Sequence, residues 1–311
     1  MRIYSFLPSA TEMIYALGLE DQLCGVTHEC DFPPEAREKP VVVRPLVDMS
    51  KMGQGEIDDR VVEGMTHGHG LYSIDRTFLQ GKKPDIVITQ ELCDVCSVSL
   101  RDVLSTMSDL SQDCQVLSLK PRGLHGVLED IVTVGKACGA EPAANDLVAK
   151  LEKRIQRVDE TAADLDRPKV FCVEWFDPIF ASGHWVPEMV EIAGGHDALG
   201  RPGQDSRRIP WRDVLANDPD VMVLMPCGFD AYRAAEDLHL LSRNDGWRSI
   251  GAVKAGRVFA TNGSAYYSRP GPRLVDGLEL LAKMIHPEVF GPEMQPDRAR
   301  RISPELLTRP Q

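Results

Sequence analysis

The chain has no apolar run near the ~20 residues that a helix needs to cross a bilayer. Its longest aliphatic stretches are short, such as Val221–Met225 and the three central residues of Asp85–Thr89. Positive charge is in deficit: 35 Lys+Arg stand against 47 Asp+Glu, a net charge of −12 over 311 residues. A nucleic-acid partner is therefore not expected, because binders of duplex or RNA carry a basic face. The arginine groups Arg207–Arg208 and Arg298–Arg301 are expected on solvated surface. No dinucleotide fingerprint or P-loop occurs, and Gly194-Gly195 follows a helical stretch, not a strand, so it makes no phosphate loop. No catalytic triad is evident and no catalytic residue is assigned. No period of 20–50 residues is visible, which excludes a solenoid. The opening Met1-Arg2-Ile3-Tyr4-Ser5-Phe6-Leu7-Pro8 alternates and stops at proline. It reads as a first strand, where a secretory signal would need 7–15 continuous apolar residues. The expected location is cytoplasmic.

What is present is an ordinary globular composition, 43% hydrophobic and 26% charged. Strand-like runs (Ile3–Leu7, Leu23–Thr27, Val41–Arg44, Pro84–Thr89, Gln115–Leu119) alternate with helical periodicity in the first part of the chain. Ser9 with Glu12 three residues on has the form of a capping box for a helix over Thr11–Leu17. Helices are also predicted over Glu56–Met65, Val98–Met107 and Gly123–Cys138. A second alternation follows, with strands at Lys169–Val173, Val221–Met225 and Val258–Ala260 and a last helix over Leu274–His286. Between the halves, Leu147, Val148, Leu151, Ile155 and Val158 form one stripe of a helix from Pro142 to near Leu165. At 1.5 Å per residue it spans roughly 35 Å. The expected architecture is α/β, with two Rossmann-like lobes of parallel strands: residues 1–118, a connecting region 119–167 with the long helix, and residues 168–311.

Eight cysteines occur, and the pair Cys93-Asp94-Val95-Cys96 has a spacing common in zinc and redox sites. Cys24, Cys114, Cys138 and Cys172 sit among apolar neighbours and read as core thiols. His67 and His69, flanked by glycines, are either metal ligands or part of a loose turn.

Several phrases together resemble a known family. Arg2–Leu19 (RIYSFLPSATEMIYALGL), Gly25-Val26-Thr27, Asp31–Ala36 (DFPPEA) and Lys83–Ile88 (KPDIVI) look like the first lobe of the cobalamin- and siderophore-binding proteins of ABC importers. Pro178–Gly183 (PIFASG), Val190–Gly195, Ile209-Pro210-Trp211, Asn217–Val223 and Ala252–Val258 look like its second lobe. The likeness runs over about residues 2–287. It implies a class III periplasmic-binding-protein-like fold, two lobes joined by one long helix with the ligand in the cleft between them. In such folds ligand contacts come from loops at the carboxyl ends of strands. Those loops carry Cys30 and Phe32, Glu91 with Cys93 and Cys96, Glu174 with Trp175, Phe180 and Trp185, and Cys227 with Phe229. Trp211 joins them by family position. A corrinoid is broad, flat and largely apolar, which favours aromatic contacts and a few polar groups. The resemblance therefore marks Phe32, Glu91, Glu174, Trp175, Phe180, Trp185 and Trp211 as ligand-binding residues, and cobalamin or a related metal chelate as ligand. Cys30, Cys93, Cys96 and Cys227 are the candidate metal ligands, for zinc or an iron–sulfur cluster, since thiolates are soft donors.

Two departures from the family stand out. The opening residues lack a signal-like pattern, and residues 48–79 have no clear counterpart. Relatives present an acidic residue on each lobe to permease arginines. The matching region, Val98–Val103, offers only Asp102, so permease docking is expected to be lost or altered. Three readings follow: a cytoplasmic binding protein for a corrinoid or similar metal chelate, an enzyme of cofactor processing that uses the cysteines, and an importer's receptor if a signal lies upstream.

Overall fold

The structure, a computed structural model, describes residues 1–67, 71–91, 98–110 and 113–308. The chain divides into two compact units, residues 1–121 with 125–150 and residues 122–124 with 151–311. Each holds a six-stranded sheet among the described residues.

In the first unit β1 (Ile3–Ser5), β2 (Leu23–Thr27), β3 (Val41–Pro45), β4 (Tyr72–Ile74), β5 (Ile86–Gln90) and β6 (Gln115–Leu119) stand in the order β4-β3-β2-β1-β5-β6. β1 pairs in parallel with both β2 and β5, β5 with β6 and β2 with β3, and only β4 runs antiparallel. β5 is buried along its whole length, as a parallel strand covered on both faces must be. Tyr4, Phe6, Val43, Val87, Val103 and Met107 are at the centre of this unit's core. Gly25 leaves room for the Tyr4 ring, which would lie 2.7 Å from any Cβ placed there.

The first helix differs from its expected start. It spans Pro8–Ala16, with Leu7 as N-cap and no side-chain cap bond. Proline in the first turn fixes φ for helix entry and loses no needed N–H. Ser9 therefore lies inside the helix, and the expected capping box does not form. A capping pair does form at the helix Leu100–Leu110: the Ser99 hydroxyl accepts from Asp102 N (3.1 Å) and donates to Asp102 Oδ2 (2.8 Å). Asp102 thus serves as a helix-capping residue.

The long helix spans Glu141–Ala162, beginning one residue before the expected Pro142 and ending three before Leu165. Its Ala144 is buried in the first unit, and Leu151, Val158 and Ala162 in the second.

In the second unit β7 (Val170–Phe176), β8 (Ile179–Ala181), β9 (Arg207–Arg208), β10 (Val221–Leu224), β11 (Val258–Thr261) and β12 (Ala299–Arg301) stand in the order β12-β11-β10-β7-β8-β9. β7, β10 and β11 are parallel, and the outer strands are antiparallel. Phe171, Val173, Met222, Leu224, Val258 and Trp247 belong to its core. The helix Leu274–Ile285 packs close: a Cβ at Gly277 would collide with the Tyr266 carbonyl oxygen, and the buried Tyr267 hydroxyl donates to Gly277 O at 3.1 Å. On the same helix Glu279 accepts from Arg154 Nε at 3.0 Å and from its Nη2 at 2.8 Å, a two-pronged pair.

Gly277→Ala is expected to cost about 1–3 kcal/mol, the usual range for overpacking a close contact. The urea midpoint of the variant measures it, and a midpoint equal to that of the parent protein would refute the contact.

Candidate functional site

At the carboxyl end of β7 the chain turns back at once into β8, which sets Trp175 opposite Phe180 and Phe176 opposite Ile179. The register shifts between Val173 and Trp175. Glu174 sits at that shift. Its Oε1 accepts from Gly183 N at 3.0 Å, and the Ser206 hydroxyl bonds to the same carboxyl. Gly183 must be glycine here, since the backbone of residues 204–206 occupies the place of a Cβ.

β10 ends beside β7. After it, Phe229 N donates to Pro226 O (3.1 Å), and Asp230 caps the short helix Ala231–Glu236 by accepting from Tyr232 N (2.9 Å) and Arg233 N (2.8 Å). This turn brings Phe229 edge-on to Trp175, with ring centroids 5.4 Å apart. It also folds Arg233 back over the Phe229 ring at 3.7 Å. Arg208, in β9, lies over Phe180 at 5.6 Å. Cys227 N donates to Glu174 O at 3.3 Å. One edge of this unit therefore gathers the half-buried Glu174, Trp175, Phe180 and Cys227 with two arginines, on the buried Phe229. Such a surface suits a flat apolar body with polar groups on its rim.

Other residues expected at a ligand site are placed differently. Trp185 is only 3% exposed; its Nε1 donates to Tyr267 O at 2.7 Å and its ring stacks on His184, which makes it a core residue of this unit. Trp211 packs against the core, stacked on Trp247 at 6.2 Å, with Nε1 donating to Asp245 O at 2.8 Å. Trp185 is thus enclosed by the fold, whereas Trp211 is half-buried with its N–H engaged.

In the first unit, Phe32 is exposed at 41% in the loop after β2. Glu91 is paired with Lys120 at 3.3 Å on the surface. Cys30 is buried: Thr11 Oγ1 donates to its Sγ at 3.0 Å and Thr27 Oγ1 lies at 3.4 Å. Its sulfur thus faces two hydroxyls of its own unit. His28 lies beside Tyr72, with ring centroids 5.9 Å apart, and burial lowers its pKa. Cys93, Cys96 and the side chains of His67 and His69 lie outside the described residues. Among the described residues no three His, Cys, Asp or Glu side chains come together as a metal site, and Cys30 and Cys227 belong to different units. The described residues therefore give no support to a zinc ion or an iron–sulfur cluster.

Sequence reasoning missed the two arginines. Arg233 had a local signal, four residues after Phe229 on a turn of helix. Arg208 had none, because its ring partner comes from the pairing of β8 with β9.

A family model described as periplasmic binding protein matches residues 4–265. The chain is similar to an uncharacterized ABC transporter substrate-binding lipoprotein, YvrC, of Bacillus subtilis (strain 168), 26% identical over 298 residues that cover 93% of this chain and 81% of that protein. It is also similar to a cobalamin-binding protein of Halobacterium salinarum, 23% identical over 291 residues, 92% of this chain and 69% of the relative. Among solved structures, a periplasmic heme binding protein from Pseudomonas aeruginosa has the same fold, with a TM-score of 0.70 at 19% identity over 93% of each chain.

Burial raises the Glu174 pKa to about 7 from an ordinary 4.5. A carboxyl that holds its proton more tightly when folded adds stability below its unfolded pKa, and that contribution is lost as pH rises through the folded value. Asp130, in the first unit, is raised to about 7 by burial in the same sense. Glu174→Gln is expected to gain melting temperature relative to the parent protein as pH rises from about 5 to about 8, with Asp130 leaving a residual slope. Calorimetry across that range reads it, and parallel curves for the two proteins would refute the assignment.

Proposed function

We propose, for a chain that belongs to the periplasmic binding protein family, that it binds cobalamin or a related flat metal chelate without catalysing a reaction on it. The observation that carries this reading is the pair of half-buried rings at the carboxyl edge of β7, Trp175 opposite Phe180, with the buried Phe229 supporting Trp175 edge-on. The carboxyl edge of parallel strands is where open α/β sheets take their ligands. Trp175 and Phe180 are half-buried, so each keeps part of its ring surface to lay against a flat apolar ligand. The name of the halobacterial relative, a cobalamin-binding protein, supports the ligand class. That of the Bacillus relative, an ABC transporter substrate-binding lipoprotein, supports binding as the activity.

A cytoplasmic role in storage, delivery or sensing of the chelate is part of the same proposal. Cell fractionation tests this part separately: recovery of the protein with the envelope or the periplasm would replace the cytoplasmic role with transport.

Titration of the full chain with cyanocobalamin and with heme, followed calorimetrically, is expected to give saturable 1:1 binding of at least one of them at micromolar Kd or tighter, about −8 kcal/mol or better. Trp175→Ala is expected to weaken it about tenfold or more by removing the central ring. Absence of binding to both ligands, or an unchanged Kd in the variant, would reject the reading.

A further inference from the structure

The half-buried Trp175 rests on a support built by residues far from it in sequence. Its ring meets the buried Phe229 edge-on, with centroids 5.4 Å apart. Phe229 belongs to the turn that follows β10, where its N–H donates to Pro226 O at 3.1 Å. A second turn, the one that follows β11, holds this one from outside: Ser264 N donates to Phe229 O at 3.2 Å. Gly263 is what allows the two turns to touch. A Cβ there would lie 2.5 Å from Pro226 O and 2.6 Å from both Met225 C and Met225 O. Those are backbone atoms and cannot swing aside as a flexible side chain would.

The second turn is itself fastened. Asn262 caps the helix Gly263–Tyr266, its Oδ1 accepting from Ala265 N at 2.9 Å. A helix of four residues has no stability of its own and keeps its shape through such bonds. Asn262 N donates to Arg298 O at 2.8 Å, directly before β12, whose Ala299 stands opposite Thr261 of β11. The segment after β12 anchors that strand: Ile302 and Leu307 are buried in the core, and Trp247 Nε1 donates to Leu307 O at 3.0 Å. A continuous set of contacts thus runs from β12 through Asn262, Gly263 and Ser264 to Phe229, and from its ring to Trp175.

From this geometry we propose that Asn262 and Gly263 are positioning residues of the ligand edge, fastened by β12, which act on a bound ligand through Phe229 and Trp175. The proposal takes its ligand class from the flat-chelate reading above and adds the residues that set the height and tilt of the central ring.

Two measurements on the full chain test it. The emission of Trp175 is isolated by subtracting the spectrum of the matching Trp175→Phe protein. In the ligand-free state Gly263→Ala is expected to shift this difference spectrum to longer wavelength, as a ring less covered by its support emits. Calorimetric titration with cyanocobalamin and with heme is the second measurement. Gly263→Ala is expected to weaken the probe that binds about fivefold or more, and to change its Kd by less than about twofold in a Trp175→Ala background, because residues that act through one another are not additive. Asn262→Ala, which removes one cap bond, is expected to act in the same direction by about threefold. It carries the test if circular dichroism shows that Gly263→Ala does not fold. Equal weakening with and without Trp175 overturns the proposal while the flat-chelate reading stands, and so does an unmoved difference spectrum. If neither probe binds the parent protein, the flat-chelate reading falls, and the difference spectrum alone decides whether these residues position the ring.

Discussion

The antiparallel return of β8 against β7 is the constraint on which the second unit's site depends. A strand that continued outward past Phe176 would carry Trp175 away from any partner. The return instead sets Trp175 opposite Phe180, and the register shift before Trp175 leaves the Glu174 side chain to reach Gly183 N. The same hairpin offers its outer edge to β9, and that pairing carries Arg208 over Phe180. One backbone arrangement thus places two rings, one half-buried carboxyl and one guanidinium. The parallel neighbour β10 supplies Phe229 and Arg233 from the turn that follows it.

The charges at this edge are held in two different ways. Glu174 is withdrawn from water and answered by neutral donors, a backbone N–H and a hydroxyl, so burial raises its pKa to about 7. Loss of hydration outweighs two hydrogen bonds there, because neither bond brings a compensating positive charge. The arginines keep their charge and use the ring faces as supports, which a strongly hydrated ammonium would do less readily. A protein with a net charge of −12 in this way keeps cationic groups at one edge of one unit.

The fold was legible where pattern and burial coincide. β5, β6, β10 and the long helix lie within a few residues of their predicted positions, because continuous aliphatic runs and a long helical stripe have few alternatives. The misses share a cause. β8, β9 and β12 are strands of two or three residues, too short for a periodic pattern, and β9 and β12 pair with neighbours distant in sequence, so Arg207-Arg208 looks like solvated surface until β8 is known to lie beside it. Ser9 looked like an N-cap, but Pro8 starts the helix one residue earlier. Of the expected ligand residues, Trp175, Phe180 and Glu174 meet at one edge, Trp185 is buried, and Trp211 is half-buried against the core. Residue type favoured the cleft for all four aromatics. Only the Trp185 bond to Tyr267 O, with its 3% exposure, marks the one that turns inward.

The sequence by itself determined the α/β class, the two alternating halves, the long helix and the family, since these follow from periodicity, turn chemistry and the order of local phrases. The tertiary structure alone decided which rings stand at the carboxyl edge, which are buried, and that arginines cover them. Those outcomes depend on pairing between strands as far apart in sequence as β7 and β10 and on packing between loops, and no local pattern encodes a contact whose two sides are brought together only by the finished sheet.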